Sequence, residues 1–237
     1  MADVYFLRGR VFTKLSRLSE ADDAYRTVLS LDPKYQGAWF NIGTNRIRQD
    51  DLPAAITHYN IEQRLYPSAK TMVQIGKAYA DLGKIDSAAI AYEQAIEIDN
   101  ENAAAYMRIG HLHKDNGDIT KAIEYATSGL ELDAENLDYK YFMGSLLLLN
   151  GEPEMSLPYF QAVTSKYPWH YWAHHNLGQA NFRIGNDTEG QRFMDMAKEL
   201  QKGIQEVENW RNLATVSYTH LRAHETDSYL VCRLLLE

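Results

Sequence analysis

The sequence predicts an all-α solenoid of about six antiparallel helix pairs, and three observations support this. Glycines return at an almost constant spacing, and small and aromatic residues follow them at fixed distances. Apolar residues recur every three or four positions on either side of short polar turns, as in amphipathic helices. A fixed period of this length is typical of helical repeats, in which each unit buries its apolar face against its neighbours.

The first observation is the period itself. The glycines are separated by 34, 33, 34, 34 and 34 residues, and they are Gly9, Gly43, Gly76, Gly110, Gly144 and Gly178. A small residue stands twelve positions after each of them, namely Ala21, Ala55, Ala88, Ala122, Ser156 and Gly190. We expect both small positions to lie where the two helices of a pair cross, because a larger side chain there would cost about 1–3 kcal/mol of overpacking.

The turn between the two helices of a pair also has its own residues. Four of these turns carry a glycine at the same place, which favours a left-handed residue at a helix C-terminus: Gly83, Gly117, Gly151 and Gly185. Pro53 suits the first position of a second helix. The aromatic residues Tyr25, Tyr59, Tyr92 and Phe160 stand four positions after the small residue of their units.

The segments AWFNIG…AAITHY…YP and AYMRIG…KAIEYA resemble the tetratricopeptide repeat family. The resemblance covers about residues 2–204, in the units 2–35, 36–68, 69–102, 103–136, 137–170 and 171–204. It implies a right-handed superhelix whose concave groove is lined by the first helix of each unit. Two residues depart from the family pattern: Arg46 takes a usually apolar place, and Pro158 inside a helix predicts a local kink.

The last 39 residues need a separate interpretation. The apolar spacing of residues 199–215 predicts that the last helix runs on, as a cap or as a spacer before more repeats. Residues 216–237 resemble the translation of a sequencing-library adapter, with Asp227 and Ser228 in its index; the alternative is a genuine C-terminal helix. The adapter interpretation predicts a fragment whose natural chain continues differently after Thr215, and it gives Cys232 no functional weight.

Composition excludes some classes of function. The formal net charge is −8 with no dense run of Lys or Arg, which argues against general nucleic-acid binding. Apolar runs are too short for a membrane span, and no secretory leader opens the sequence. The compartment stays open: cytoplasmic is the default, and an exported or periplasmic protein is the alternative if an N-terminal signal has been lost.

The family resemblance assigns groove-facing places, and these are polarised along the chain. Units one to three place there Phe6, Arg10, Lys14, Phe40, Arg48, Lys70, Val73 and Lys77, together with Asp3 and Asp81. Units four to six place there Met107, His111, Tyr141, Leu148, Leu149, Trp172, His175 and Phe182, together with Lys114, Asp115, Asp138 and Arg183. We therefore expect a peptide ligand with an acidic part toward the first three units and an apolar part toward the last two. A solvated helix face with ordinary packing between repeats is the alternative for each residue.

Two more specific sites are weaker. Asn41 and Lys70 occupy two of the five places of the carboxylate clamp with which some family members bind chaperone C-termini, but Phe6, Arg10 and Gln74 hold the other three. His170 and His174 have metal-ligand spacing, yet no further ligand lies nearby, so a packed, hydrogen-bonded His174 is favoured. No catalytic motif, metal site or cofactor site is predicted.

The sequence thus predicts a protein–protein interaction module that acts as an adaptor or scaffold. One alternative is the substrate-docking arm of a larger enzyme, such as a transferase, whose catalytic domain would follow residue 215. Another is a scaffold that self-assembles through its ends, and the oligomeric state is left open.

Overall fold

The computed structural model describes residues 1–206, in which all regular secondary structure is helical. The helices are α1 (Ala2–Lys14), α2 (Leu18–Leu31), α3 (Ala38–Arg48), α4 (Leu52–Leu65), α5 (Ala69–Asp81), α6 (Ile85–Ile98), α7 (Ala103–Asp115), α8 (Ile119–Leu132), α9 (Leu137–Leu149), α10 (Pro153–Lys166) and α11 (Tyr171–Arg183). A further helix, α12, begins at residue 187 and is helical to residue 206. The continuation predicted for 207–215 and the adapter-like residues 216–237 lie outside the described residues.

The chain divides into two compact units, Met1–Asn150 and Gly151–Glu237. In the first unit α1, α3, α5 and α7 each pack on the next even-numbered helix, which then packs on the following odd-numbered helix. In the second unit α10 packs on α11. This arrangement of stacked pairs confirms the predicted all-α repeat class. α9 belongs to the first compact unit and α10 to the second, and the six repeat boundaries stay a prediction.

The turns inside the helix pairs adopt the predicted left-handed conformation. The four turn glycines have φ between 71° and 85°. In the first two pairs the equivalent residues are Ser16 and Asp50, with φ of 58° and 60°. The conformation therefore belongs to the turn itself, and glycine is the residue that adopts it without Cβ strain.

The repeat glycine makes room for an aromatic ring. A Cβ atom on Gly9 would lie 2.6 Å from the ring of Tyr25, and one on Gly76 would lie 2.5 Å from that of Tyr92. On Gly43 it would meet both the ring of Tyr59 at 2.8 Å and a backbone oxygen of α4 at 3.2 Å. For these three glycines the expected close approach of helices is therefore only part of the reason, because a tyrosine ring of the second helix also occupies the space.

Side chains define several helix starts. Asp51, Ser68, Asn102, Asp118 and Asn136 precede α4, α5, α7, α8 and α9, and each accepts a hydrogen bond from a backbone N–H in the first turn. Such caps satisfy amide groups that the helix itself leaves unpaired. Pro158 lies inside α10, which continues through it as a helix.

The stacking interfaces of the first unit differ in polarity. From α4 to α7 the core is apolar and continuous, with Tyr59, Met72, Ile75, Tyr92 and Ile109 among its buried members. Between the first two pairs the apolar cluster is smaller and contains Ala21, Tyr25 and Ile42. Polar side chains therefore make up part of this first junction.

The polar part of that junction is centred on Asp22, which is 3% exposed. Its carboxylate accepts hydrogen bonds from Asn45 Nδ2 at 2.8 Å and from Arg46 Nη2 at 2.6 Å. Thr13 Oγ1 donates to Asn45 Oδ1 at 3.0 Å and lies 3.4 Å from the Tyr25 hydroxyl. Arg46, the departure from the family pattern, is thus the ionic partner of a buried carboxylate.

None of the described helices has both the length and the apolar character that a membrane span requires.

Candidate functional site

The candidate site in the first compact unit is the face of its first helices, which are α1, α3, α5, α7 and α9. Three cations predicted to face the groove are exposed and form no ion pair among residues 1–206: Arg10, Lys14 and Lys77. Because they have no internal counter-charge, these side chains are available to an acidic ligand.

Two other predicted groove cations have contacts within the fold. Arg48 Nη1 donates a 2.6 Å hydrogen bond to the carbonyl oxygen of Thr13, which links α3 to the end of α1. Lys70 Nζ lies over the ring of Phe40, 4.7 Å from its centroid, a cation–π contact. Charge reversal at Arg48 would therefore perturb the junction between the first two pairs as well as any ligand contact.

Charge is separated between the two layers of helices in this unit. The first helices, α1, α3, α5, α7 and α9, carry ten basic and four acidic residues. The second helices, α2, α4, α6 and α8, carry three basic and nine acidic residues. The layer that contains the candidate site is thus net +6, whereas the other layer is net −6.

A small cleft of about 250 Å³ opens between the start of α3 and the start of α5. Its lining includes Phe40, Asn41 and Lys70, which were predicted from the sequence, and also Glu62 and Tyr66, which were not. The Glu62 carboxylate is 3% exposed and accepts hydrogen bonds from the backbone N–H groups of Gly37 at 2.7 Å and Phe40 at 3.3 Å.

Glu62 lies on the neighbouring second helix, α4, and Tyr66 directly follows that helix. Glu62 stabilises the amino end of α3, where orphan N–H groups favour an anion. The Tyr66 hydroxyl donates to the carbonyl oxygen of Lys34. Asn41, one of the two clamp-like residues, donates from Nδ2 to the Gly37 carbonyl oxygen at 2.6 Å, so its amide group already has a partner in its own helix.

Three predicted groove residues are buried. Val73, Met107 and Leu148 are at most 8% exposed, so in this structure they belong to the core and do not present a surface to a ligand. Met107 fills the space beside Gly129, where an added Cβ would lie 2.7 Å from its sulfur. Phe6 and Phe40 keep part of their surface accessible.

His111 and Tyr141 lie on α7 and α9 and are partly buried. The imidazole of His111 stacks on the ring of Phe142 with centroids 3.7 Å apart. Burial, together with the positive charges of Lys114 and Arg108, lowers the pKa of His111 to about 4. His111 is thus neutral at pH 7 and contributes an aromatic face.

In the second compact unit, Trp172 and Phe182 are exposed and His175 is partly buried. The rings of Trp172 and His175 meet edge to face with centroids 5.9 Å apart. These residues offer an aromatic surface on α11.

The two histidines with metal-ligand spacing have structural contacts in the same unit. His170 Nδ1 accepts from the Ala173 N–H at 3.1 Å and so caps α11. His174 is buried, and its Nε2 lies 2.9 Å from the Pro168 carbonyl oxygen. Among residues 1–206, no three His, Cys, Asp or Glu side chains are grouped so as to hold a metal ion.

Paired antiparallel helices with a repeating glycine define the chain as a helical-repeat protein. Family models described as TPR repeat and Tetratricopeptide repeat match residues 76–117, and residues 2–35 and 103–136, respectively. The chain therefore contains tetratricopeptide repeats within residues 2–35 and 76–136. This fold is typically a non-catalytic protein-interaction module.

Solved structures show the same fold at low sequence identity. The crystal structure of MamA is 22% identical, with a TM-score of 0.62, and the match covers 70% of this chain and 97% of that one. YrrB, described as "a TPR protein with an unusual peptide-binding site", is 20% identical with a TM-score of 0.63 over 76% and 94% of the two chains. PilF of Pseudomonas aeruginosa is 14% identical with a TM-score of 0.75 over 89% and 96%. No curated protein matches the chain.

Proposed function

We propose that the first-helix face of Met1–Asn150 binds an acidic segment of another polypeptide, so that the protein acts as an adaptor or scaffold. The observation that carries this proposal is the charge separation between the two helix layers. The whole chain has a net charge of −8, so the net positive first-helix layer is a local property. A local field of this sign attracts carboxylates and steers acidic segments toward that layer.

The unpaired cations and the accessible rings suggest how such a segment would bind. Arg10, Lys14 and Lys77 would pair with its carboxylates, and Arg10 can do so through two parallel hydrogen bonds. The accessible parts of Phe6 and Phe40 would contact apolar side chains between those carboxylates. The peptide-binding site named for YrrB, a protein of the same fold, agrees with this class of ligand.

The test uses a library of random fluorescent 12-residue peptides, in which each acidic peptide has a matched version with Gln and Asn in place of Glu and Asp. We expect the 237-residue chain to select acidic peptides and to bind them at least about tenfold more tightly than their neutral versions, a difference of about 1.4 kcal/mol. The affinity should fall as salt is raised, because exposed ion pairs are screened.

Paired charge reversals locate the site. Arg10→Glu with Lys77→Glu should weaken acidic-peptide binding at least about tenfold, an estimate based on the usual strength of charge-assisted contacts. The matched control reverses two exposed arginines on second helices, Arg26→Glu with Arg64→Glu, and makes the same change in net charge. Equal losses in the two double variants would mean that only overall charge matters, and selection of neutral peptides would also refute the proposal.

A further inference from the structure

Glu62 breaks the repeat at a place where the other helix pairs bury small or apolar residues. It stands nineteen positions after the repeat glycine Gly43. The buried residues at the equivalent places of the other pairs are Val28, Ala95, Gly129, Val163 and Ala197. Burying a carboxylate costs free energy unless hydrogen bonds replace the lost hydration. A residue that departs from the local pattern at such a cost indicates a role beyond packing.

The compensating hydrogen bonds come from the start of α3. Its N-cap residue is Gly37, which has φ of 85° and no side chain with which to cap the helix. The next three first helices are capped by their own Ser or Asn side chains. Glu62 takes this role from α4, because its two carboxylate oxygens accept from the N–H groups of Gly37 at 2.7 Å and of Phe40 at 3.3 Å. A residue of the neighbouring helix thus fixes the start of α3.

The segment that Glu62 fixes carries an aromatic part of the proposed site. Phe40 lies in the first turn of α3, and Lys70 Nζ lies 4.7 Å from the centroid of its ring. The ring of Phe6 packs nearby, since a Cβ atom on Gly37 would lie 3.5 Å from it. Glu62, Phe40 and Lys70 line the same cleft. A shift in the start of α3 would therefore move Phe40 relative to both Lys70 and Phe6.

We propose that Glu62 is a positioning residue of the acidic-peptide site and acts by holding Phe40 against Lys70. This inference rests on the proposed function. The carboxylate is 3% exposed and is bound by amide N–H groups at the positive end of a helix, which limits its repulsion of an acidic ligand. If Glu62 acted only by repulsion, its removal would strengthen acidic-peptide binding. A positioning role predicts the opposite sign.

Fluorescence titration at 10 °C measures this sign, with the acidic 12-residue peptide of the library that binds the unmodified chain most tightly. Glu62→Val introduces the side chain found at the equivalent place of two other pairs, and it should weaken binding at least about threefold. Glu62→Gln keeps one carbonyl acceptor and should lose less. The control Glu93→Gln removes an exposed carboxylate from α6 and should leave the affinity unchanged or raise it. Equal or tighter binding by the Glu62→Val chain would overturn the proposal.

A double-mutant cycle tests whether Glu62 acts through Phe40. Phe40→Ala alone should weaken binding of the same peptide, because the ring is lost from the site. In that background Glu62→Val should cause less than about half of the loss, on a free-energy scale, that it causes in the unmodified chain. Fully additive losses would mean that Glu62 acts by another route, and the proposal would be wrong.

NMR spectra of the folded chains separate positioning from a general loss of stability. Because Lys70 Nζ lies over the Phe40 ring, the ring current shields the ε-protons of Lys70. In Glu62→Val at 10 °C these signals should move toward the positions of an ordinary lysine. Unmoved signals would contradict the proposal even if binding were weaker.

The unmodified chain distinguishes a failure of this inference from a failure of the proposed function. If it selects no acidic peptide, the proposed function fails, and the role of Glu62 fails with it. If it binds acidic peptides and the Glu62→Val chain binds them equally well, only the positioning role is refuted.

Discussion

Replacement of Asp22 by alanine removes the centre of the polar junction between the first two helix pairs. The carboxylate is 3% exposed and accepts from Asn45 and Arg46, so its loss leaves an arginine and an amide without their acceptor. Breaking a buried ion pair from one side costs about 3–5 kcal/mol. The Arg46 side chain is 20% exposed and can be partly rehydrated, which places the expected loss near 3 kcal/mol, the low end of that range.

Urea unfolding at pH 7 measures this loss, and Asp23→Ala provides the control. Asp23 is the next residue of the same helix, its side chain is 75% exposed, and its contact with Arg26 is 3.6 Å long. An exposed pair of this kind contributes about 0–1 kcal/mol. The Asp22 variant should therefore unfold at a clearly lower urea concentration than the Asp23 variant, and its thermal midpoint should fall by about 6–12 °C.

A second substitution separates the ion pair from simple packing. Arg46→Met in the Asp22→Ala background removes the stranded charge, so at least half of the lost stability should return, because apolar replacement of buried pairs is often neutral. If Asp22→Ala and Asp23→Ala differ by less than about 0.5 kcal/mol, the junction does not depend on this network and the reasoning fails.

Three further predictions concern packing, turn strain and protonation. Gly43→Ala should lower the free energy of unfolding by about 1–3 kcal/mol, because the new Cβ would lie 2.8 Å from a tyrosine ring. Gly203→Ala, with open space around it, should not lower it in the same urea assay. Asp50→Gly should raise the free energy of unfolding by about 0.5–1 kcal/mol, because residue 50 has φ of 60°, a left-handed conformation that glycine adopts without strain. An unchanged urea midpoint would contradict this. The pKa of His111 is lowered to about 4 in the folded chain, whereas an unfolded histidine has a pKa of about 6.5. As the pH falls from about 6.5 toward 4, His111 takes up a proton in the unfolded chain but not in the folded one, so its contribution to the free energy of unfolding is lost. Between pH 7 and pH 5, His111→Phe should therefore lose less stability than the unmodified chain, and equal losses would argue against a buried neutral imidazole.

Much of the fold could be predicted from the sequence because the period reflects local physical requirements. A left-handed turn favours glycine, as at Gly83. A ring in the second helix requires a small residue opposite it, as at Gly76. The polar junction could not be predicted in the same way. Asp22 and Arg46 are 24 residues apart and meet only after two helix pairs stack, so their types do not reveal that they are partners.

The charge of the candidate site follows from the sequence, whereas the accessibility of its residues does not. The position of Lys77 on a first helix follows from the period, and the structure leaves the side chain exposed. Val73 and Met107 occupy places that face the groove in the family, yet each packs into the core here. Whether a side chain at such a place is covered depends on the sizes of its neighbours in adjacent helices. Glu62 was missed because it acts from a second helix on the backbone of α3.

The polar junction and the proposed acidic-peptide site share two helices, which couples stability to binding. Arg48 of α3 donates to the Thr13 carbonyl oxygen of α1. The Thr13 hydroxyl also donates to Asn45, whose amide donates to Asp22. Together these hydrogen bonds hold α1, with its cations Arg10 and Lys14, against α3. If the cations of α1 and α5 contact one ligand, loosening the junction costs affinity even at a temperature where the chain is folded. We therefore expect Asp22→Ala to weaken acidic-peptide binding several-fold at 10 °C in fluorescence titration, whereas Gly203→Ala should leave it unchanged. Undiminished affinity in the Asp22 variant would mean that the ligand does not need α1 to be fixed relative to the other first helices.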